Sequence, residues 1–135
     1  MTSIPKNLHR IVSLSAGNLV KKSAEKRSFI VNEVPHEVSI ETDEKVISAI
    51  LDNLLTNIIS NSAYGCIRVK AYEYDDIICV SIKDNGSLLN HDFIENMDEI
   101  HLLAKSLNGN LSIRSLENKF TAILLSFPNF PKRAA

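Results

Sequence analysis

The sequence predicts an α+β domain of two layers, in which about three helices cover one face of a mixed sheet of about five strands. The first observation is a long helical pattern over residues 43–63, where apolar residues recur at three- and four-residue spacing. The second is an alternation of apolar and polar residues over 66–74 and 77–84, which is typical of two half-buried strands in a hairpin. The third is that a helical pattern followed by a hairpin recurs over 92–107 and 111–127.

Size and net charge restrict the class of protein. The chain has 135 residues, of which 44% are hydrophobic and 23% charged, as expected of one folded domain. Its formal net charge of −1 gives no indication of a nucleic-acid partner. No apolar run approaches the length of a membrane span, so we expect no membrane contact by this chain. Cys66 and Cys79 are too few for a disulfide scaffold, and we expect buried free thiols in a reducing cytoplasm.

The elements before the central helix come in a simple order. Pro5 suits the first turn of a helix that runs to about Lys26, and a glycine-asparagine pair weakens the middle of this helix. Residues 28–34 are rich in β-branched and aromatic side chains and predict a strand that Pro35 ends. Residues 37–42 predict a short second strand or an extended approach to the central helix.

The helix ends are predicted from capping residues. Thr42 or Asp43 can cap the start of the central helix, and Gly65 supplies its terminator. Asp92 can cap the next helix, which Asn108 and the glycine after it end.

Asparagines occupy one side of the second half of the central helix. Asn53, Asn57 and Asn61 each stand seven residues after an apolar residue, and positions seven apart lie almost over one another. A polar amide on a core-facing side costs stability unless it finds a partner. The stripe therefore has two interpretations, between which the residues alone do not decide. The helix end leaves the core and meets solvent, or this side of the helix lines a polar pocket.

A carboxylate occupies an inward position at the end of a predicted strand. Three apolar residues at alternate positions face inward, and the next position on that side is Asp84, which Asn85 and Gly86 follow. An ionised buried carboxylate is costly unless it accepts hydrogen bonds or meets a donor on a ligand. Taken alone, the Asp-Asn-Gly tripeptide favours ordinary turn chemistry.

The asparagine stripe and the inward Asp-x-Gly, in this order, resemble the ATP-binding domain of sensor histidine kinases. This domain belongs to the superfamily of gyrase, the Hsp90 chaperones and MutL, whose architecture is the Bergerat fold. Residues 43–62 resemble the stretch that contains the family's N box, with Asn53 and Asn57 at its two asparagine positions. Residues 82–86 resemble its first glycine box. The resemblance extends from about the first helix to Pro128.

The resemblance implies a role for each of these residues toward ATP and magnesium. Asn57 would coordinate the magnesium ion that bridges the triphosphate, for which an amide oxygen is a suitable ligand. Asp84 would accept the exocyclic amino hydrogen of adenine, and Gly86 would let the backbone approach the base. Asn53 and Asn61 would make secondary polar contacts.

The residue at position 53 bears on the reaction. The ATP-hydrolysing relatives carry a glutamate that activates water at the position of Asn53, and an amide cannot take a proton from water. The resemblance therefore implies phosphoryl transfer to a separate histidine rather than hydrolysis, with no catalytic residue expected on this chain.

The chain departs from the family at the phosphate end of the site. Leu88 stands where the first glycine box has its second glycine, and the interval 87–97 is too short for the usual lid and contains no glycine. No lysine or arginine lies between Asp84 and His101, whereas four carboxylates do. Ser60 stands where the family usually carries a basic residue. The adenine end of the site is partly kept, and the lid and the second glycine box are degenerate.

Three functions are consistent with these residues. The first is the ATP-binding domain of a two-component signalling protein, which would transfer phosphate to a phosphate-accepting histidine domain. The second is a degenerate kinase-like module that no longer uses ATP and binds a response regulator or another regulatory protein. The third is a kinase-like anti-sigma factor. The lost glycines favour impaired nucleotide binding, and the sequence leaves the choice among the three functions open.

The expected domain organisation follows from the resemblance. We expect residues 1–26 to form an N-terminal helix, 27–128 the histidine-kinase-like ATPase domain, and 129–135 a tail that is frayed from residue 132. Because residues 1–26 supply one helix at most, we expect the phosphate-accepting helical pair on another domain or chain. We expect the protein in the cytoplasm.

Overall fold

A computed structural model describes residues 6–86, 90–116 and 120–130 of the chain. Its helices in chain order are α1 (Leu8–Gly17), α2 (Val20–Glu25), α3 (Glu44–Asn61), α4 (His91–Glu95) and α5 (Asp98–Ser106). Its strands are β1 (Lys6–Asn7), β2 (Phe29–Asn32), β3 (Ser39–Ile40), β4 (Cys66–Tyr74), β5 (Ile77–Asp84), β6 (Asn110–Leu116) and β7 (Phe120–Pro128). Two residues separate α1 from α2, and two separate α4 from α5, so the described helices group into the three helical segments predicted.

The alternating segments form a mixed sheet of five strands with the order β2-β4-β5-β7-β6. β2 runs parallel to β4, and the other neighbouring strands are antiparallel. The β4-β5 hairpin turns at Asp75 and Asp76, whose φ angles of 56° and 63° are the left-handed values that two-residue hairpin loops favour. β1 and β3 form a separate antiparallel pair. The predicted α+β architecture with a mixed five-stranded sheet is confirmed.

One face of the sheet carries the hydrophobic core. The inward side chains of the strands are buried against the apolar side of α3, and α1 and α5 also pack on α3. The buried apolar residues of the three long strands are Ile67, Val69, Ala71, Ile78, Val80, Ile82, Ile123, Leu125 and Phe127. On the opposite face, Arg68, Lys70 and Lys83 are exposed. The helices therefore lie on one face of the sheet, as predicted.

The structure decides between the two caps predicted for α3 and differs from the cap predicted for the next helix. Asp43, and not Thr42, caps α3, because its Oδ1 accepts the backbone N–H of Lys45 at 3.0 Å. Asn90, and not Asp92, caps the helix after β5, because its Oδ1 accepts the N–H of Phe93 at 2.9 Å. Asn90 lies two residues before Asp92, and both residue types can cap a helix. The sequence pattern alone did not decide between them.

The glycines after α3 and α5 serve close packing rather than left-handed turns. The left-handed residues are Tyr64, with a φ of 54°, and Asn108, with a φ of 57°. A Cβ on Gly65 would lie 2.0 Å from Ser62 Oγ, and one on Gly109 would lie 2.6 Å from the carbonyl oxygen of Ser126. The prediction that Gly65 itself terminates α3 was wrong, because Tyr64 takes the left-handed conformation and Gly65 fills a space without room for a side chain.

Asn129, the residue after β7, bonds to the segment around β3 and to the β4-β5 hairpin. It is buried, and its Oδ1 accepts the N–H of Glu41 at 2.8 Å. Its Nδ2 donates to the carbonyl of Ser39 at 2.9 Å and to Glu73 Oε2 at 2.9 Å. Its own N–H donates to the carbonyl of Asp76 at 2.7 Å. A side chain just after the last strand thus fixes both the segment around β3 and the β4-β5 hairpin.

The helix predicted to start at Pro5 begins at Leu8 instead, because Lys6 and Asn7 pair with β3 and Asn7 caps α1. Other expectations concern residues outside the described ranges, namely the interval 87–89, the turn at 117–119 and the tail from residue 131. Among the helices that the structure describes, none has the length and apolar character needed to cross a membrane. Cys66 and Cys79 are free thiols that are half-buried rather than buried.

Candidate functional site

The predicted asparagine stripe changes environment along α3. Asn53 is exposed, Asn57 is 5% exposed, and Asn61 is half-buried. The Asn57 side chain donates from Nδ2 to the carbonyl oxygen of Phe93 in α4 at 3.0 Å. Asn61 Nδ2 donates to the carbonyl oxygen of Asn57 at 2.8 Å and to its Oδ1 at 3.1 Å. The second half of α3 is therefore tied to α4 through an amide whose nitrogen and oxygen are both bonded inside the protein.

A polar cavity of about 250 Å³ lies between α3 and the chain around the start of α5. The described residues of its wall are polar apart from one isoleucine and include no lysine or arginine: Asn53, Thr56, Asn57, Ser60, Asn96, Glu99 and Ile100. Among these residues, the carboxylate of Glu99 is the single charged side chain. The asparagine side of α3 thus lines a polar pocket, as one of the two interpretations of the stripe required.

Asp84 lies in a second polar cluster at the ends of β4 and β5. It is 2% exposed, and its Oδ2 accepts the N–H of Gly86 at 2.8 Å. Its Oδ1 accepts the hydroxyl of Ser62 at 3.4 Å. Ser62 Oγ lies 3.0 Å from Ser28 Oγ, and Ser28 Oγ accepts the N–H of Gly65 at 2.9 Å. The inward carboxylate therefore has partners from its own turn and from the end of α3.

Burial sets the protonation behaviour of Asp84. Removal of the carboxylate from water raises the pKa of Asp84 above its usual value, and the bonds from Gly86 and Ser62 lower it by less. The folded chain thus holds this proton more firmly than the unfolded chain does. Consequently the Asp84 contribution to stability falls as pH rises from below the unfolded pKa through the raised folded pKa.

The predicted site residues fall into two clusters that meet at the end of α3. Asn53 and Asn57 line the polar cavity, and Asn61 bonds to Asn57. Asp84 and Gly86 bond to each other and do not line that cavity. The consecutive residues 61 and 62 connect the clusters, since the first belongs to one and the second to the other.

Four residues of the second cluster were not predicted from the sequence: Ser28, Ser62, Gly65 and Thr121. Thr121 Oγ1 donates to the carbonyl of Gly86 at 3.0 Å and stands opposite Asp84 in the β5-β7 register. The alternation that turns Ile123 inward also turns Thr121 inward, so the sequence contained a signal for it. The two serines lie 34 residues apart, and no local pattern pairs them.

The chain between β5 and α5 packs onto the core, and its outer side is acidic. Phe93 is 0% exposed and Met97 is 2% exposed. Four carboxylates are exposed on the same stretch: Asp92, Glu95, Asp98 and Glu99. This segment therefore covers α3 with apolar side chains and turns negative charge to solvent.

Comparison with known proteins gives a match in structure and none in sequence. Neither a protein family nor a curated protein matches the chain. The catalytic domain of histidine kinase ThkA in a nucleotide-free form is similar at a TM-score of 0.77 and 16% identity, over 97% of this chain and 98% of that one. Histidine kinase AdeS of Acinetobacter baumannii is similar at a TM-score of 0.81 and 12% identity, over 93% of this chain and 66% of that one.

Full-length ShkA in complex with AMPPNP is similar at a TM-score of 0.78 and 16% identity, and the match covers 97% of this chain and 32% of ShkA. At these identities the likeness defines the fold. The chain has the fold of the catalytic ATP-binding domain of histidine kinases, as the resemblance in its asparagine stripe and Asp-x-Gly predicted.

Proposed function

We propose that this chain is a histidine-kinase-like domain of a two-component signalling protein, that its nucleotide binding is impaired, and that it acts by binding a protein partner. The observation that carries the proposal is the Asn57 side chain, which is 5% exposed and bonded through both its nitrogen and its oxygen. Fold alone does not decide function, so the argument depends on the residues that the fold places at the site.

The bonds of Asn57 restrict it as a ligand for the magnesium ion that the fold implies. An amide that ligates magnesium directs an oxygen lone pair to the ion, and one of the two lone pairs of Asn57 Oδ1 already accepts a bond from Asn61, while Nδ2 donates to the carbonyl of Phe93. A turn of this side chain toward an ion would break the bond to α4. Among the described residues, no group of three or more histidine, cysteine, aspartate or glutamate side chains could hold a metal ion.

The triphosphate that the fold implies does not fit the cavity beside Asn57. Phosphates are bound by cations and by clustered backbone N–H groups, often of glycine-rich loops at helix starts. The part of the cavity wall that the structure describes has no cation, and Glu99 adds a negative charge to it. Two like charges 4 Å apart repel by about 1 kcal/mol in water and about 4 kcal/mol near a protein surface. The four exposed carboxylates of this segment therefore oppose a polyanion.

The segment between β5 and α5 also supports the proposal. In the family this is the place of a mobile lid, whereas here α4 is anchored by the buried side chain of Phe93 and by the bond to Asn57. A helix anchored in this way has less freedom to move than a lid requires.

If nucleotide binding is impaired, the domain would take part in signalling by binding a protein partner. ThkA has been solved in complex with the response regulator TrrA. We assign a response regulator to this chain as its partner, with a phosphate-accepting histidine domain as the alternative. We place the chain in the cytoplasm, because the cytoplasmic segment of histidine kinase QseC has the same fold.

Thermal unfolding with and without Mg-ATP or Mg-ADP tests the proposal. A ligand at about a hundred times its dissociation constant adds roughly 2.7 kcal/mol, which for a domain of this size raises Tm by roughly 8–12 °C. We expect millimolar nucleotide to leave Tm unchanged, and no transfer of phosphate from ATP to a purified phosphate-accepting histidine domain. A clear rise in Tm that is lost in Asp84→Ala would refute impaired binding, and Lys21→Ala on the exposed side of α2 is the control for nonspecific effects.

A further inference from the structure

The outer face of the sheet, which the helices do not cover, contains a second and larger depression. Its volume is about 530 Å³, and it is referred to below as the basic groove. The lining side chains come from β4, β5 and the residue after β5: Cys66, Arg68, Lys70, Ser81, Lys83 and Asn85. Half of these described side chains are cationic and none of them is acidic. The groove lies on the opposite side of the sheet from α3, so it is separate from the site described above.

The strand register concentrates positive charge in the groove. Arg68 and Lys83 stand directly opposite each other on β4 and β5, about 5 Å apart between their Cα atoms. Lys70 follows two residues along β4 on the same face. Like charges in directly opposite positions destabilise a sheet. The stability of the domain alone therefore does not explain why these cations stand opposite each other.

Acidic side chains of the described chain neutralise few of the cations in the basic groove. Glu33 Oε1 lies 3.7 Å from Arg68 Nη1, at the edge of the sheet. No ion pair to Lys70 or Lys83 is found within the described part of the chain, and Lys83 Nζ lies 4.3 Å from the centre of the Phe120 ring. A ring face attracts the ammonium group without cancelling its charge. The groove thus presents at least two cations to solvent on a chain whose formal net charge is −1.

On the rest of the outer face, the described residues add one more cation and several exposed apolar side chains. Arg114 lies in the same row as Lys83, two strands further across the sheet, at about 10 Å. Tyr72 is 58% exposed, and Leu124 is 43% exposed. These cations are spread over about 15 Å and lie beside an aromatic side chain. A single small anion would contact only part of this surface.

We propose that the basic groove binds an acidic, aromatic-containing segment of a partner protein, whose carboxylates pair with Arg68, Lys70 and Lys83. The charge complementarity and the neighbouring Tyr72 favour this occupant. The few cations, on a chain with as many acidic as basic groups, do not form the extended positive track that a nucleic acid requires. The proposal does not depend on the nucleotide site, because it concerns the other face of the sheet.

Fluorescence anisotropy with a model segment tests the proposal. The probe is a labelled eight-residue peptide, Glu-Gly-Glu-Tyr written twice, and the comparison peptide has glutamine for glutamate. The groove variant is Lys70→Ser with Lys83→Ser. The matched control is Lys21→Ser with Lys105→Ser, which removes the same charge from exposed positions elsewhere. We expect the glutamate peptide to bind, the groove variant to bind about ten-fold more weakly, and the control to stay within about two-fold.

Two further measurements separate the outcomes. Binding should weaken as ionic strength rises, and the groove variant should melt no lower than the starting protein because it removes like charges. The proposal fails if the glutamate peptide does not bind, or if both double variants weaken it equally. It also fails if a thymidine oligonucleotide of equal charge binds more tightly than the peptide. Self-association in light scattering that the groove variant abolishes would assign the groove to a second copy of this chain instead.

Discussion

Asn57→Ala is the substitution that tests the arrangement around α3 most directly. In the folded chain Asn57 is 5% exposed, donates to the carbonyl of Phe93 at 3.0 Å, and accepts from Asn61 at 3.1 Å. Alanine removes both bonds and leaves the Phe93 carbonyl without this donor. A buried polar group that loses its partner costs about 1–3 kcal/mol.

Helix propensity acts in the opposite direction, since alanine is favoured over asparagine in a helix interior by about 0.6 kcal/mol. The net loss for Asn57→Ala is therefore about 0.5–2.5 kcal/mol, or roughly 2–10 °C in Tm for a domain of this size. Asn53→Ala is a matched control because Asn53 is exposed on the same helix and borders the same cavity. The propensity gain cancels between the two variants, so their difference measures the buried bonds.

Urea unfolding followed by circular dichroism gives the two free energies of unfolding, provided that the denaturant slope is unchanged. We expect Asn53→Ala to be neutral or slightly stabilising, and Asn57→Ala to lie about 1–3 kcal/mol below it. If the two variants differ by less than about 0.5 kcal/mol, the Asn57 amide does not hold α4 to α3. The central support for impaired nucleotide binding would then be lost.

The remaining predictions concern the second polar cluster and its glycine. Because burial raises the pKa of Asp84, we expect Asp84→Asn to become more stable relative to the starting protein as pH rises from about 3 to 7. Melting temperatures across that range check this, and a constant difference contradicts it. Gly65→Ala should destabilise by about 1–3 kcal/mol or more, since a Cβ there would lie 2.0 Å from Ser62 Oγ and 2.6 Å from Asp84 Oδ1. Gly17→Ala has nothing within 4 Å of its Cβ and should stabilise by about 0.4–1 kcal/mol, so equal effects of the two changes in urea unfolding would refute the close approach.

The sequence predicted the elements well where one physical rule acted alone. Strand alternation placed Asp84 inward, and helical periodicity gave α3 its buried side, because both patterns follow from backbone geometry. The one helix predicted to run to about Lys26 is instead divided into α1 and α2 after Gly17, where the sequence indicated only a weak middle because Gly17 and Asn18 are weak helix formers. The errors occurred where several residues could perform one role, as with Asn90 in place of Asp92 at the start of α4.

The sequence indicated two buried polar residues of the candidate site, Asn57 and Asp84, but not their contacts with distant residues. Asn57 and Asp84 were singled out because polar groups at inward positions are costly without partners. Their partners could not be predicted, since the carbonyl of Phe93 lies 36 residues from Asn57 and Ser62 lies 22 residues from Asp84. Such bonds depend on how elements dock, and periodicity within one element carries no information on docking.

The bonds of Asn129 have a consequence for the way the domain opens. The segment between β2 and α3 contains two residues of strand, yet the amide of Glu41 is held by a side chain 88 positions away. Amide protons in such an irregular stretch would usually exchange with solvent through small local fluctuations. Here the Glu41 amide is bonded to Asn129, which the carbonyl of Asp76 and the side chain of Glu73 hold on the β4-β5 hairpin. Deuterium uptake at Glu41 should therefore be slower than is usual for an irregular stretch, and it should rise in a variant such as Asn129→Ala that lacks this bond.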